Sequence, residues 1–191
     1  MRIGEIYAFA KAPKHPLDLN EQKGLAYEMG TFVNSKGIPV NITFTTYNDG
    51  FVVDTLSSTD DCNEFLEQLT AWMSQEYKFT DASLLGIRKA YRSQIDVELE
   101  VSLKILNPHL SGLLTMIEDR VKAFDGKPKH YEIGALNCWT EDYGKPTAPA
   151  AFRLERKIGS SFDSNRYFSE GPFQTLEHID VIKGFEQLLT S

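Results

Sequence analysis

The chain has 191 residues, a formal net charge of −7, 41% hydrophobic residues and 25% charged residues, which is the profile of an ordinary globular protein. A chain of this size needs neither disulfides nor a metal ion to fold. Its excess of acids disfavours nucleic acid as a partner, and no segment has the roughly 20 consecutive apolar residues of a membrane span.

Further expectations follow from these features. Cys62 and Cys138 lie far apart without a ligand cluster, so we predict two reduced thiols in the core. The N-terminus lacks the apolar run of a signal peptide, which favours a cytoplasmic location. No cofactor or metal is predicted, and the negative charge favours a basic protein partner or a small ligand.

The N-terminal third begins with two uncertain elements and then a hairpin. Ile3 to Phe9 resembles a strand, and the spacing of apolar residues from Leu25 to Val33 indicates a helix weakened by Gly24 and Gly30. From 38 to 56, alternating apolar residues flank Asp49-Gly50, which predicts two strands joined by a tight type I′ turn with positive φ.

Three segments have the apolar spacing of helices. Ser58 and Asp61 resemble a capping box before a helix from about 59 to 77. Asn107 as the cap and Pro108 as the first helical residue predict a second helix from about 108 to 124. Thr175 opens a closing helix with a buried stripe.

Strands are predicted between these helices. Residues 94 to 105 alternate without a break, so we expect one long strand with a single buried side. Shorter alternations predict strands at 131 to 135 and 152 to 158, with a loop from 141 to 149 between them.

The fold class that follows is α+β: an antiparallel-rich sheet with about four helices packed on one face. We expect a single domain over residues 1–191. An internal duplication, with β-α-β-β-α halves at 1–80 and 90–191, remains an alternative, because Phe51-Val52 falls on Tyr167-Phe168 when Thr59 is laid over Thr175.

The polar side of the long strand carries an acidic row, Asp96, Glu98 and Glu100. Residues two apart on a strand share a face. The row is interpreted as a solvated or charge-protected face, or as an acidic surface that binds a protein. Catalysis or a hard cation would need further ligands from another strand.

An aromatic segment from Ser160 to Phe173 is the second candidate site. It contains Arg166, Tyr167 and Phe168, and aromatic residues with arginine are enriched at binding hot spots. The alternative is a loop that folds its aromatic rings into the core before the last helix.

The catalytic signals are weak. His130-Tyr131-Glu132 matches the His-x-Glu opening of zinc deaminases, but their Pro-Cys-x-x-Cys does not follow. His15, His109 and His178 are scattered, and the nucleophile elbow, the phosphate-binding loop and the dinucleotide fingerprint are all missing.

The favoured hypothesis is a non-catalytic, acidic binding protein of bacterial accessory type, in a partner-neutralising or assembly role. It would use Asp96, Glu98 and Glu100 or Arg166, Tyr167 and Phe168. One alternative is a small hydrolase or transferase with a site near residues 141–143 and 165–170. The other is a homo-oligomeric structural protein joined through sheet edges.

Overall fold

A computed structural model describes residues 3–13, 23–77, 88–106, 108–145 and 148–190. The chain divides into two units, Met1–Lys89 and Ala90–Ser191, here called unit 1 and unit 2. Each unit contains one antiparallel sheet and its own apolar core. The predicted α+β class is confirmed, but the single predicted sheet is replaced by two, of three and four strands.

Unit 1 is a three-stranded antiparallel sheet covered by a helix. Its elements are α1 (Ile3–Ile6), β1 (Leu25–Val33), β2 (Pro39–Thr46), β3 (Phe51–Thr55) and α2 (Thr59–Tyr77), with strand order β1-β2-β3. Alternation turns Val40, Ile42 and Phe44 of β2 inward, where Phe65 and Leu69 of α2 pack in the same core. The predicted bounds of α2 are confirmed, and the hydroxyl of its cap Ser58 accepts a hydrogen bond from the N–H of Asp61 at 3.3 Å.

The two uncertain N-terminal elements were predicted wrongly. Ile3–Ile6 is a single helical turn, and the predicted helix from Leu25 to Val33 is strand β1. The pairing of β1 with β2 slips by one residue between Tyr27 and Gly30, where Met29 adopts a φ of 58°. This bulge moves the inward residues from odd to even positions, so the apolar residues of β1 lose the strict alternation that marks a strand.

The hairpin of β2 and β3 is confirmed, but its turn differs from the prediction. Thr46 pairs with Phe51, so four residues form the loop, and the N–H of Tyr47 donates to the carbonyl of Gly50 at 2.8 Å. Gly50 does not have a positive φ. The two-residue type I′ turn is therefore wrong, and Gly50 has no conformational need to be glycine.

Gly30 and Gly50 make a matched pair of test positions. A Cβ on Gly30 would overlap the ring of Phe9, whereas a Cβ on Gly50 would meet open space. We expect Gly30→Ala to lower the free energy of unfolding by about 1–3 kcal/mol through overpacking. Gly50→Ala should leave it unchanged or raise it slightly. Denaturant titration of both variants measures the difference. Equal midpoints would contradict the close approach of the Phe9 ring to Gly30.

Unit 2 is a four-stranded antiparallel sheet with two longer helices. Its elements are β4 (Ser93–Glu98), a 3₁₀ turn (Leu103–Leu106), α3 (Pro108–Asp125), β5 (Ala135–Cys138), β6 (Phe152–Arg156), a 3₁₀ turn (Phe162–Ser164), β7 (Arg166–Gly171) and α4 (Thr175–Thr190). The strand order is β4-β7-β6-β5. The predicted positions of α3 and α4 are confirmed, and Ile182 of α4 packs with Leu154 and Tyr167 in the core.

The long strand predicted from 94 to 105 is wrong in length. β4 ends at Glu98, and the chain then turns so that Leu99 and Leu103 enter the core from irregular backbone and a 3₁₀ turn. The partner strand β7 begins at Arg166, which pairs with Glu98. One further bond, from the N–H of Leu99 to the carbonyl of Asn165 at 3.1 Å, continues the pairing, and Asn165 then leaves the extended conformation with a φ of 44°, so β4 has no partner strand beyond this point among the described residues.

Other elements of unit 2 also have bounds that differ from the predicted ones. The strand predicted at 131 to 135 begins only at Ala135, and the segment from 160 to 173, interpreted as a loop, contains β7, one of the two inner strands of the sheet. The predicted strand at 152 to 158 ends at Arg156, and Ile158 lies in an exposed turn. Of the predicted loop at 141 to 149, residues 146 and 147 lie outside the described part of the chain.

The predicted order β-α-β-β-α does not describe either unit. Unit 1 reads α-β-β-β-α, and unit 2 reads β-α-β-β-β-α, with the 3₁₀ turns left out. What the units share is a three-stranded antiparallel meander followed by a helix: β1-β2-β3-α2 in unit 1 and β5-β6-β7-α4 in unit 2. An internal duplication and the number of independently folding domains stay predictions.

The two cysteines lie in different environments. Both are free thiols; Cys62 is half-buried and directs its Sγ at the carbonyl of Val53, while Cys138 is exposed at the end of β5, which corrects the prediction that both lie in the core. Burial raises the pKa of Cys62 to about 11.

We therefore expect iodoacetamide at mildly alkaline pH to modify Cys138 first. Only the thiolate reacts, and raising a thiol pKa from about 8.5 to the value of Cys62 lowers its thiolate fraction by about two orders of magnitude. Mass spectrometry of timed samples measures the two rates of modification, and the Cys138→Ser variant gives the slower rate, that of Cys62, alone. Equal rates at the two sites would contradict the burial of Cys62.

Candidate interaction surface on the four-stranded sheet

The sheet of unit 2 has one side in the core and one side turned away from it. Ile95, Leu154 and Tyr167 belong to the core side, where α4 packs. The side chains that alternate away from the core form what we call the outer face. Its main members are Gln94, Asp96 and Glu98 of β4, Arg166, Phe168 and Glu170 of β7, and Arg153 and Glu155 of β6.

The outer face joins the two sites that were predicted separately from the sequence. In the register of β4 and β7, Asp96 lies opposite Phe168, and Glu98 lies opposite Arg166. Directly opposed residues of an antiparallel pair have Cβ atoms only about 5 Å apart. Four of the six predicted site residues therefore share one surface.

The other two predicted residues lie elsewhere. Tyr167 points into the core with no exposed surface, and its hydroxyl accepts hydrogen bonds from the N–H of Leu103 at 3.3 Å and from Arg156 at 3.4 Å. Glu100 follows the end of β4, and its N–H donates to the carboxylate of Glu186 in α4 at 2.6 Å. Tyr167 thus lies beneath the outer face, and Glu100 lies beyond the strand, next to α4.

The outer face carries mixed charge, which modifies the expectation of an acidic row. Lys157, just past β6, forms an ion pair with Asp96, and Gln94 donates to the carboxylate of Glu170 at 2.7 Å. Both side chains of the Lys157 pair are substantially exposed, so the pair contributes little to stability. At the far end of β4, Glu98 has Arg166 of β7 opposite it, and beyond the strand the N–H of Glu100 donates to the carboxylate of Glu186 in α4.

Strand β4 is also an edge of its sheet. In the described part of the chain it pairs with β7 alone. The outward N–H and C=O groups of an edge strand are a template for another extended segment, and acidic side chains beside them oppose pairing with a like-charged strand.

A second polar cluster lies around Arg156. Its guanidinium donates to the Glu132 carboxylate at 2.8 Å and to the carbonyl of Phe162 at 3.0 Å, and both members of the Arg156–Glu132 pair are only 9% exposed. The guanidinium also lies over the rings of Phe162 and Tyr167, 4.9 and 5.2 Å from their centroids. The cluster joins β6 to the coil before β5 and to the turn before β7.

The His-x-Glu pattern is part of this cluster. Nδ1 of His130 lies 2.9 Å from Glu118 of α3, and Nε2 lies 3.5 Å from Glu132. The N–H of Tyr131, together with His130, holds the pKa of Glu118 below its usual range. Among the described residues no group of three His, Cys, Asp or Glu could hold a metal ion. These contacts therefore connect α3 to the coil that contains His130 and Glu132.

His178 forms a buried network that the sequence reading missed. Its Nδ1 lies 2.8 Å from the hydroxyl of Ser93, and its Nε2 lies 2.8 Å from that of Ser169. Ser169 donates its proton to the carbonyl of Arg153 at 2.9 Å, so Nε2 must be the donor to Ser169 and Nδ1 must accept from Ser93.

This serine–histidine network is structural. Burial lowers the pKa of His178, and the ring has no exposed surface through which a substrate could reach it. Both ring nitrogens contact serine hydroxyls, so neither is left to a carboxylate of the kind that orients a catalytic histidine. One signal was present in the sequence: His178 lies four residues before Ile182, on the stripe of α4 that faces the core.

The remaining histidines and the loops near residues 141–143 and 165–170 give little evidence for an enzyme site. His109 is exposed on α3, and His15 lies outside the described residues. Residues 141–143 form an exposed turn in which Tyr143 stacks on Trp139, with ring centroids 5.0 Å apart. Residues 165–170 belong to β7 and the residue before it.

Comparison with known proteins found no matching family model, no matching curated protein and no matching solved structure. None of the helices in the described ranges combines the length and apolarity needed to cross a membrane. The outer face and the β4 edge are therefore the features of the molecule that bear on its function.

Proposed function

We propose that this protein is a non-catalytic binding protein of bacterial accessory type that acts in the cytoplasm and takes a basic protein partner along the β4 edge. The observation that carries the proposal is the position of Asp96 and Glu98 on an edge strand, directly opposite Phe168 and Arg166. An edge strand offers main-chain hydrogen bonds, and the side chains beside it supply selectivity.

The chemistry of the surface suggests what the partner segment contains. Lysine or arginine side chains would meet Glu98 and Glu100, where no ion pair is formed by the described residues, and an apolar side chain would cover Phe168. Complementary charge would mainly steer the encounter, while the main-chain bonds and the contact with Phe168 would hold the complex. A neutralising or an assembly role would both use this recognition.

A labelled peptide of alternating lysine and threonine with one central valine is a suitable probe. We expect Asp96→Asn/Glu98→Gln/Glu100→Gln to retain the fold, since these residues are exposed, to weaken binding of the peptide by roughly tenfold, and to remove most of its salt dependence. A matched control, Asp60→Asn/Glu67→Gln/Glu76→Gln, removes the same charge from exposed positions of α2.

Two results would overturn the proposal. Equal loss of binding in the two triple variants would mean that only the net charge of the protein attracts the peptide. Undiminished binding of a peptide whose backbone is N-methylated at alternate residues would mean that the β4 edge is not used, because such a peptide cannot pair with a strand.

Self-association through a sheet edge is the second candidate. Strand β5, the opposite edge of the sheet, carries no charged side chain over Ala135–Cys138, so it lacks the usual protection against pairing with a copy of itself. Sedimentation velocity over a range of concentrations tests this candidate, with Asn137→Lys as the variant expected to disrupt a dimer. A monomer at all concentrations would eliminate it.

A further inference from the structure

Strand β4 directs alternate main-chain groups away from its sheet. The N–H of Leu99 donates to the carbonyl of Asn165 at 3.1 Å and continues the register of β4 with β7. Hydrogen-bonded pairs alternate along an antiparallel ladder, so the odd-numbered residues of β4 bond to β7. The N–H and C=O groups of Gln94, Asp96 and Glu98 therefore point to the open edge, where an added strand would pair with them.

Helix α4 runs beside this edge. Nδ1 of His178 lies 2.8 Å from the hydroxyl of Ser93 at the start of β4, and the carboxylate of Glu186 accepts a hydrogen bond from the N–H of Glu100 just past its end. By the same alternation this N–H points to the open side of β4, so Glu186 marks the side of α4 that faces the edge. Ile179 lies two turns before Glu186, on the same side of the helix, and is half-buried.

The residues of β4 that alternate towards α4 are apolar and incompletely covered. Ile95 and Val97 pack against the core of unit 2, yet both are only half-buried. Among the described residues β4 has β7 as a neighbour on one flank alone, so the uncovered parts of these side chains lie at the open edge. We call Ile95, Val97 and Ile179 the edge groove. It is apolar, whereas the outer face on the other side of β4 is charged.

Glu186 limits the length of strand that this edge can pair. Its carboxylate occupies the N–H of Glu100, which would be the next main-chain donor to an added strand. Pairing therefore ends at Glu98. The side chain of Glu98 and the carboxylate of Glu186 both lie near this end, so they favour a positively charged end of the partner segment.

We propose that the partner segment adds to β4 as an antiparallel strand, with two alternate apolar residues facing Ile95 and Val97 in the edge groove and basic residues on the outer face. This proposal rests on the proposed function, because it specifies the sequence pattern of the same partner. Antiparallel pairing continues the pattern of the sheet and is slightly more stable per residue than parallel pairing. In that direction the N-terminal end of the segment, with its positive charge, lies beside Glu98.

Three labelled peptides separate this pattern from charge and composition. The first is the lysine–threonine probe with a central valine opposite Asp96. In the second, the two threonines beside the central valine become valine and face Ile95 and Val97. The third exchanges these two added valines with the terminal lysines, so no register places two valines in the edge groove. We expect the second peptide to bind roughly tenfold more tightly than the first, through the added apolar burial, and the third to show no such gain.

Two variants test the two features of the groove. Val97→Thr should remove most of the gain of the second peptide and leave binding of the first unchanged. Its matched control is Val53→Thr, at a half-buried valine of β3 in unit 1, which should leave both unchanged. Glu186→Ala frees the N–H of Glu100, so two further threonines at the N-terminal end of the peptide should improve binding to this variant and not to wild type. Circular dichroism melting checks that each variant is folded.

Equal affinity for the second and third peptides would overturn the proposal, as would a valine gain that survives Val97→Thr in folded protein. An equal gain from the N-terminal extension in wild type and Glu186→Ala would overturn the antiparallel direction and the end at Glu98. Failure of the proposed function is distinguishable from these results. If no peptide binds, both proposals are wrong; if the lysine–threonine probe binds at the β4 edge and the positions of the valines have no effect, only the sequence pattern is wrong.

Discussion

Arg156→Met is expected to lower the free energy of unfolding by about 3–5 kcal/mol, the usual cost of removing one partner of a buried ion pair. Arg156 and Glu132 are each 9% exposed and 2.8 Å apart. Methionine keeps much of the apolar volume but leaves the Glu132 carboxylate buried without its partner. It also removes the hydrogen bond to the Phe162 carbonyl and the contact with the ring of Tyr167.

A double-mutant cycle tests the cause of this loss. Glu132→Leu/Arg156→Met should be more stable than Arg156→Met alone, because it removes the stranded charge together with its partner. Lys157→Met is the control, since Lys157 pairs with Asp96 where both side chains are exposed, and it should cost at most about 1 kcal/mol. Urea denaturation measures wild type, Glu132→Leu, Arg156→Met, the double variant and Lys157→Met; an Arg156→Met loss no larger than that of Lys157→Met would contradict the burial of the pair.

The second large effect is expected at His178. His178→Leu leaves the hydroxyl of Ser93 without its acceptor and that of Ser169 without its donor. Because both lie in the core, each unpaired group should cost about 1–3 kcal/mol. His178→Gln supplies one donor and one acceptor and should cost less. Denaturant titration of the two variants measures the difference, and equal losses would show that the hydrogen bonds of His178 contribute nothing.

The same residue predicts a pH dependence with a definite sign. Burial lowers the pKa of His178 in the folded protein below its unfolded value of 6.5, so below that pH the unfolded chain binds more protons than the folded one. The stability contributed by the neutral ring is complete above pH 6.5 and is lost as the pH falls towards the folded pKa. Unfolding free energies of wild type and His178→Gln between pH 5 and 8 measure this term. Parallel pH profiles would contradict it.

Local patterns predicted much of this fold correctly. The bounds of α2 followed from Ser58 and a helical apolar stripe, and the β2–β3 hairpin from alternation. In each case the determining interactions are between residues near one another in the chain. Strand β1 was predicted as a helix because a bulge at Met29 and Gly30 interrupts its alternation, and a bulge is set by the partner strand.

The candidate sites depended more heavily on long-range contacts. By itself the sequence determined the α+β class, the three long helices α2, α3 and α4, and the two polar segments around Asp96 and Arg166. Only the tertiary structure placed Asp96 against Phe168, neutralised Asp96 with Lys157, turned Tyr167 into the core and enclosed His178 between Ser93 and Ser169. The physical reason is that periodicity determines which side of an element a residue occupies, whereas strand order and register determine which residues of other elements lie beside it.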